Sequence, residues 1–102
     1  LLGATPAHAA KGANKGLVMY ALTTCPNCKL KAKQLKAKGI PFTEYFIDLD
    51  ERRSEEMWRK LRKAGYDPKN VGTPTFDAAG TMLPNNPSME TITGAMKKAG
   101  KP

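Results

Sequence analysis

The sequence has little of what several large classes of protein require. Two of its 102 residues are cysteine and one is histidine, which is too few for a disulfide framework or a four-ligand structural zinc site within one chain. Aromatic residues make up only 7% of the chain, and none is interleaved with the dense run of lysines at 29–38, as in a nucleic-acid-binding module. No apolar run approaches the roughly 18 residues that cross a bilayer. We therefore expect neither nucleic-acid binding nor a membrane span.

The residues that are present suit one small globular domain. The chain is 40% hydrophobic and 25% charged, which is ordinary for a protein that folds around one modest core. Lysine and arginine outnumber the acids by 17 to 9, for a net charge of +8. Because lysine is among the least often buried residues, we interpret the lysines that follow the first cysteine as the solvated face of a helix. They are Lys29, Lys31, Lys33, Lys36 and Lys38.

The first fifteen residues lack hydrophobic periodicity and are predicted to form a disordered tail, 1–15, before a domain at 16–102. Ala7-His8-Ala9 matches the small-residue pattern at which an export leader is cleaved. If it is such a site, the protein works in the periplasm or outside the cell. If the segment is instead a natural arm or a cloning scar, a cytoplasmic location is expected.

Hydrophobic patterns and turn residues predict the order β-α-β-α-β-β-α. The predicted strands are Leu17–Leu22, Phe42–Ile47, a short strand after Thr73-Pro74, and Met82-Leu83 beyond a turn at Gly80. The predicted helices begin at the cysteine pair, at Ser54 as an N-cap, and near Asn86-Pro87. Two strands joined through a helix form a parallel pair and the hairpin adds antiparallel strands, so the sequence predicts a mixed sheet.

Cys25-Pro26-Asn27-Cys28 is the most informative motif, because it follows an apolar strand and opens a helix. The N–H groups at a helix N-terminus favour a thiolate at Cys25. The hydroxyls of the two preceding threonines and the amine of Lys29, one helical turn on, are expected to help. Cys28 lies within the first turn and should be more buried and protonated. We therefore predict thiol–disulfide exchange, in which Cys25 attacks and Cys28 resolves.

Two other interpretations of the cysteine pair stay open. Two chains together could hold a metal ion or an iron–sulfur cluster between their cysteines, although no metal-ligand set is predicted within one chain. A redox-inactive interaction domain is the third interpretation.

Strand one carries no acid to move a proton beneath the dithiol, and Asp48 and Asp77 are interpreted as solvated caps at strand ends.

Several segments together resemble a glutaredoxin, a member of the wider thioredoxin superfamily. These segments are Thr24–Cys28, Lys38–Phe42, Glu44-Tyr45, Ile47-Asp48 and Val71–Phe76. The resemblance spans roughly 17–99 and implies an α/β, thioredoxin-like fold, with a four-stranded mixed sheet flanked by three helices. It also implies that Pro74 is cis beside Cys25, and that the Thr73 backbone pairs with a bound peptide or glutathione. Such a protein is expected to be a monomer acting on protein or glutathione mixed disulfides.

The sequence departs from the family around the glutathione site. Asn27 stands where the family usually has tyrosine, and Leu22-Thr23 where a basic residue is common. The Gly-Gly pair before the last helix is aligned with Pro84-Asn85, and the acidic pair with Pro87-Ser88. By resemblance, the residues expected to contact substrate or glutathione are Thr24, Pro26, Asn27, Thr73, Pro74 and Asn86. No resident cofactor is expected, with glutathione serving as a co-substrate.

Overall fold

A computed structural model describes residues 16–100 of the chain. The strands are β1 (Leu17–Ala21), β2 (Thr43–Phe46), β3 (Thr75–Ala78) and β4 (Thr81–Leu83). The helices are α1 (Pro26–Ala37), α2 (Glu51–Lys63) and α3 (Met89–Ala99), with a 3-10 turn at Pro68–Asn70. The predicted tail, with Ala7-His8-Ala9, lies outside the described residues, so its role and the location of the protein stay predictions.

The four strands form one mixed sheet in the order β2-β1-β3-β4, which confirms the predicted fold class. Strand β1 is central. It pairs in parallel with β2, with Tyr20 opposite Tyr45, and antiparallel with β3, with Met19 opposite Phe76. Every residue of β1 is buried, as its unbroken apolar sequence predicts.

Helices cover both faces of the sheet, and β1 contributes to both layers because successive side chains of a strand point to opposite faces. In the first layer, Met19 belongs to the same core cluster as Leu35 of α1 and Ile92 of α3. In the second layer, Tyr20 belongs to a cluster with Met57 of α2. Burying one large apolar side chain, such as that of Met19 or Leu35, stabilises the fold by about 1.5–3 kcal/mol. Within residues 16–100, no helix combines the length and the apolar character needed to span a bilayer.

Two predicted helix starts were wrong. Helix α2 begins earlier, because the Asp50 carboxylate accepts a hydrogen bond from the amide N–H of Arg53, and Ser54 lies within the helix. Helix α3 begins later, because the Ser88 hydroxyl is the N-cap and accepts the amide N–H three residues on at 3.1 Å. Asn86 has a left-handed φ of 54° and lies in the preceding turn. Several side chains near each start are good caps, and sequence alone does not rank them.

Lys31 is not on the solvated face of α1, contrary to the sequence interpretation. It is 7% exposed, and its Nζ donates a hydrogen bond to the Pro87 carbonyl oxygen at 2.6 Å. Burial lowers the pKa of this amine. Lys31 is buried because of its position along the helix. It lies three residues after Cys28 and four before Leu35, on the face that packs against the sheet. It thereby ties α1 to the segment before α3.

Candidate active site

The two cysteines lie at the N-terminus of α1 and are joined in a disulfide, with their Cα atoms 5.2 Å apart. Cys25 is the N-cap residue, and its Sγ accepts a hydrogen bond from the Cys28 amide N–H at 3.1 Å. Pro26 occupies the first helical position, where its missing N–H has no intrahelical partner to lose. A sulfur held in this way meets the positive end of the helix dipole, so the same position stabilises a thiolate once the disulfide is reduced.

Cys28 is the more deeply buried of the pair, as predicted. Its exposed fraction is 1%, against 8% for Cys25, and both side chains belong to the first-layer core. Cys25 is therefore the more accessible of the two cysteines. Lys29 is exposed one turn along the helix, where water and salt screen its charge, so the helix terminus is the stronger influence on the Cys25 sulfur.

The segment before β3 lies beside the disulfide. The Thr73-Pro74 peptide bond is cis, as the resemblance implied, and Pro74 is buried. The Thr73 hydroxyl is 3.4 Å from the Cys25 Sγ. Residues that are 48 positions apart in the sequence thus meet at one sulfur.

A turn with left-handed backbone at Asn85 and Asn86 forms hydrogen bonds with the cis-proline segment. The two residues have φ angles of 66° and 54°. The Asn86 amide N–H donates to the Pro74 carbonyl oxygen at 2.9 Å, and the Asn85 side-chain oxygen accepts the Gly72 amide N–H at 2.5 Å. This turn lies one residue beyond Pro84-Asn85, the pair with which the family's Gly-Gly pair was aligned. Sequence reasoning gave Asn85 no role at the site, although consecutive asparagines, which tolerate φ above zero, were a signal for this turn.

The remaining predicted contact residues surround the cysteines on the surface. Thr24, Pro26 and Asn27 are exposed, and each lies next to one of the cysteines in the chain. Asn86 reaches the site through its backbone, while its side chain is exposed. The structure thus brings the eight predicted site residues into one region, and their roles toward substrate or glutathione stay predictions.

Asp48 holds the chain just before the cysteine motif. Its carboxylate accepts the Thr23 amide N–H at 3.2 Å and the Thr23 hydroxyl at 2.5 Å. The hydroxyl of Thr23 therefore donates its hydrogen bond to Asp48. The prediction that this hydroxyl helps to stabilise the Cys25 thiolate was wrong. The hydrogen bond from this hydroxyl lowers the pKa of Asp48. Asp48 is an exposed cap, as its place at a strand end indicated.

Acidification is expected to release Thr23 from Asp48. Because the pKa of Asp48 is lowered in the folded state, its contribution is complete above the ordinary value of 3.8 and is lost as the pH falls through the lower folded value. The amide shift of Thr23, followed by NMR from neutral pH to about pH 2, should therefore change with a midpoint below that of a free aspartate. Asp48→Asn, which does not titrate, should abolish the transition. A midpoint at or above the ordinary value would contradict the contact.

Asp77 is not a solvated cap, contrary to the sequence interpretation. It is 6% exposed within β3, where it faces the second layer because its neighbour Phe76 faces the first. Its Oδ2 accepts a hydrogen bond from the Lys60 Nζ at 2.7 Å, and its Oδ1 accepts the Gly80 amide N–H at 2.7 Å. Asp77 thus joins the sheet to α2 and also closes the turn between β3 and β4.

Tyr20 and Glu56 extend this ionic cluster. The Tyr20 hydroxyl donates a hydrogen bond to Glu56 and accepts one from the Lys60 Nζ at 2.9 Å. Burial, together with the Glu56 hydrogen bond, raises the pKa of Tyr20. Burial alone would lower the pKa of Lys60, but its hydrogen bonds with Asp77 and Tyr20 outweigh that effect and raise it. The cluster lies on the opposite face of the sheet from the cysteines. We therefore infer that it stabilises the fold and takes no part in the chemistry of the cysteines.

Metal-binding groups do not gather around the cysteines within the chain. Among residues 16–100, no three or more histidine, cysteine, aspartate or glutamate side chains are close enough together to hold a metal ion. This finding concerns one chain, so the interpretation in which two chains share a metal or cluster stays a prediction.

The fold and the cysteine pair define a thiol–disulfide oxidoreductase of the thioredoxin-like class. The family model described as Glutaredoxin matches residues 17–76, more than half of the chain. The chain therefore belongs to the glutaredoxin family. It is similar to the crystal structure of the glutaredoxin from Methanosarcina mazei Go1, with 25% sequence identity and a TM-score of 0.62, over 80% of this chain and 79% of that one. The comparison with curated proteins finds no match.

Proposed function

We propose that the protein exchanges disulfides with protein or glutathione mixed disulfides, with Cys25 attacking and Cys28 resolving. One observation supports this assignment above the others. The Cys25 sulfur is held at the N-terminus of α1 by the Cys28 amide, beside the cis Thr73-Pro74 bond. Both thiols come from one chain, so the exchange needs neither a resident cofactor nor a second copy, and we propose that the protein acts as a monomer.

The proposed reaction begins when the Cys25 thiolate attacks one sulfur of the substrate disulfide. That S–S bond breaks, the departing thiolate takes a proton from solvent, and a mixed disulfide remains on Cys25. Cys28 then loses its proton and attacks the Cys25 sulfur, which releases the second substrate thiol and leaves the Cys25–Cys28 disulfide. Two electrons pass from the dithiol to the substrate. Two molecules of a thiol such as glutathione then restore the dithiol and leave joined as their own disulfide. The same steps in reverse deliver a disulfide to a partner.

The surrounding residues have proposed roles in holding the substrate. The backbone of Thr73 would pair with a bound peptide or with glutathione, in the manner of an added strand. Pro74 and Asn86 keep that segment in place through the hydrogen bond between the Asn86 amide and the Pro74 carbonyl. Thr24, Pro26 and Asn27 are exposed beside the cysteines, where a substrate side chain or glutathione would contact them.

A trapping experiment tests the order of the two cysteines. Cys28→Ser removes the resolving thiol, so the mixed disulfide on Cys25 should accumulate to about one equivalent when glutathione disulfide is added, since resolution is the step that discharges it. Intact-protein mass spectrometry detects the adduct. Cys25→Ser is the matched control and should stay unmodified, because the remaining Cys28 is 1% exposed. An adduct on the Cys25→Ser variant would reverse the assignment.

The visible absorption spectrum of anaerobically purified protein tests the shared metal or cluster directly. A colourless protein that exchanges disulfides supports the oxidoreductase proposal. A chromophore that disappears in the Cys25→Ser variant, together with absent exchange, would replace it with a carrier function.

A further inference from the structure

A groove of about 620 Å³ lies between α1 and β2 and extends to the cysteine motif at Pro26 and Cys28. Among its lining residues are Leu22, Leu30 and Phe46. Leu30 is 55% exposed and Phe46 36%, although both are apolar. Strand β2 is the outer strand of the sheet, so no other strand of residues 16–100 covers this side. Apolar side chains grouped in an exposed groove are typical of an interaction surface.

Positive charge surrounds this apolar lining. Lys29, Lys33 and Lys36 line the groove along α1 at helical spacing, so they share one face of the helix. Glu44 of β2 is the one acid among the described lining residues. Within residues 16–100, none of the three lysines forms an ion pair. The groove therefore offers ammonium groups to a ligand without first breaking a contact inside the protein.

We propose that this groove binds an acidic segment of a protein substrate, next to the disulfide that the substrate presents to Cys25. An apolar side chain of that segment would pack on Leu30 and Phe46, and its carboxylates would face the three lysines. The inference rests on the proposed exchange activity and names the class of protein substrate. A second copy of this chain is a poorer occupant, because symmetric pairing would bring one lysine face against the other.

The arrangement has a kinetic consequence. Charges at the edge of a binding surface act mainly on the rate of encounter, and salt screens them. We therefore expect selectivity for acidic substrates at low ionic strength, and less of it as salt is added.

Two glutathionylated peptides of equal length, each with one cysteine and one leucine, test the proposal; one carries flanking glutamates and the other flanking lysines. The wild-type protein should reduce the acidic peptide with a kcat/KM about tenfold higher at low salt. Lys33→Glu/Lys36→Glu should bring the ratio to about one or below, since it reverses the charge of the groove. Lys97→Glu/Lys98→Glu makes the same charge change on exposed residues of α3 outside the groove and should keep the wild-type ratio.

The apolar part of the site has its own test. Replacing leucine by serine in the acidic peptide should lower kcat/KM several-fold for the wild-type protein, because about one buried side chain is lost. Leu30→Ser should remove most of that preference, and the exposure of Leu30 makes the variant safe for folding. An unchanged preference would contradict the contact.

The outcomes separate the groove from the reaction. If neither peptide is reduced, the proposed exchange activity is contradicted, and the groove proposal, which rests on it, is contradicted too. If both peptides are reduced equally, or if the two charge-reversal variants change the ratio alike, the groove proposal alone is overturned. Equal reduction together with binding to anionic phospholipid vesicles that only Lys33→Glu/Lys36→Glu loses would instead make the groove a lipid-binding surface.

Discussion

Replacing Cys25 by serine is expected to lower the rate of disulfide exchange by about a thousandfold or more, because a serine hydroxyl stays protonated and cannot form the mixed disulfide. The measurement is steady-state reduction of a glutathione mixed disulfide, with the background rate of free thiols subtracted. The loss should be independent of substrate charge, since it removes the attacking atom itself. That separates it from the groove variants, whose effect depends on the peptide.

The same variant should remain folded, which makes the result interpretable. Serine is one of the preferred N-cap residues, so its hydroxyl can accept the Cys28 amide N–H that the Cys25 sulfur accepts now. The free energy of unfolding, compared between the variant and the reduced wild type, should therefore change by less than about 1 kcal/mol. Retention of more than about a tenth of the activity in the folded variant would contradict the role of Cys25.

The fold could be predicted from the sequence because its decisive signals are local. An apolar run gives β1, the cysteine motif with its proline gives the start of α1, and the order of the elements then leaves few topologies. The site followed for the same reason, since Cys25 and Cys28 are neighbours along one helix turn. The position of Thr73-Pro74 beside the cysteines could be predicted only from the resemblance to glutaredoxins. The residues around Thr73-Pro74 do not indicate a contact with a sulfur 48 positions away in the sequence.

The predictions that failed concern contacts made across the fold. Lys31 was assigned to solvent because lysine usually is, yet the carbonyl of Pro87 lies where its amine can reach it. Asp77 was assigned to a solvated strand end, yet it lies within β3, and its buried position depends on Lys60 from another element. A buried charge is acceptable only with a partner, and the sequence does not identify partners that lie far apart.

Adjacent residues of β1 therefore serve different parts of the molecule. Met19 packs in the layer that contains both cysteines, whereas Tyr20 packs in the layer that contains Glu56, Lys60 and Asp77. The sheet separates the redox pair from the ionic cluster. Substitutions in the cluster should accordingly change stability more than the rate of exchange.

Lys60→Met is expected to lower the free energy of unfolding by about 2 kcal/mol, because it leaves the Asp77 carboxylate buried without its cation. The effect should be smaller than for a fully buried pair, since the Lys60 side chain remains 34% exposed while that of Asp77 is 9% exposed. Urea unfolding at neutral pH measures the change. Lys63→Met, on the exposed face of the same helix, is the matched control and should change stability by less than about 0.5 kcal/mol.

A second substitution distinguishes the lost ion pair from lost packing. In the Lys60→Met background, Asp77→Asn should recover part of the lost stability, because it removes the unpaired charge while its amide oxygen can still accept the Gly80 amide N–H. In the wild-type background, the same Asp77→Asn change should destabilise, because the Lys60 ammonium then loses its nearer anion and keeps only Glu56, at 3.7 Å. Opposite signs in the two backgrounds give a favourable coupling energy between the two residues. Equal effects in both would show that Lys60 and Asp77 act independently and that their contact contributes nothing to folding.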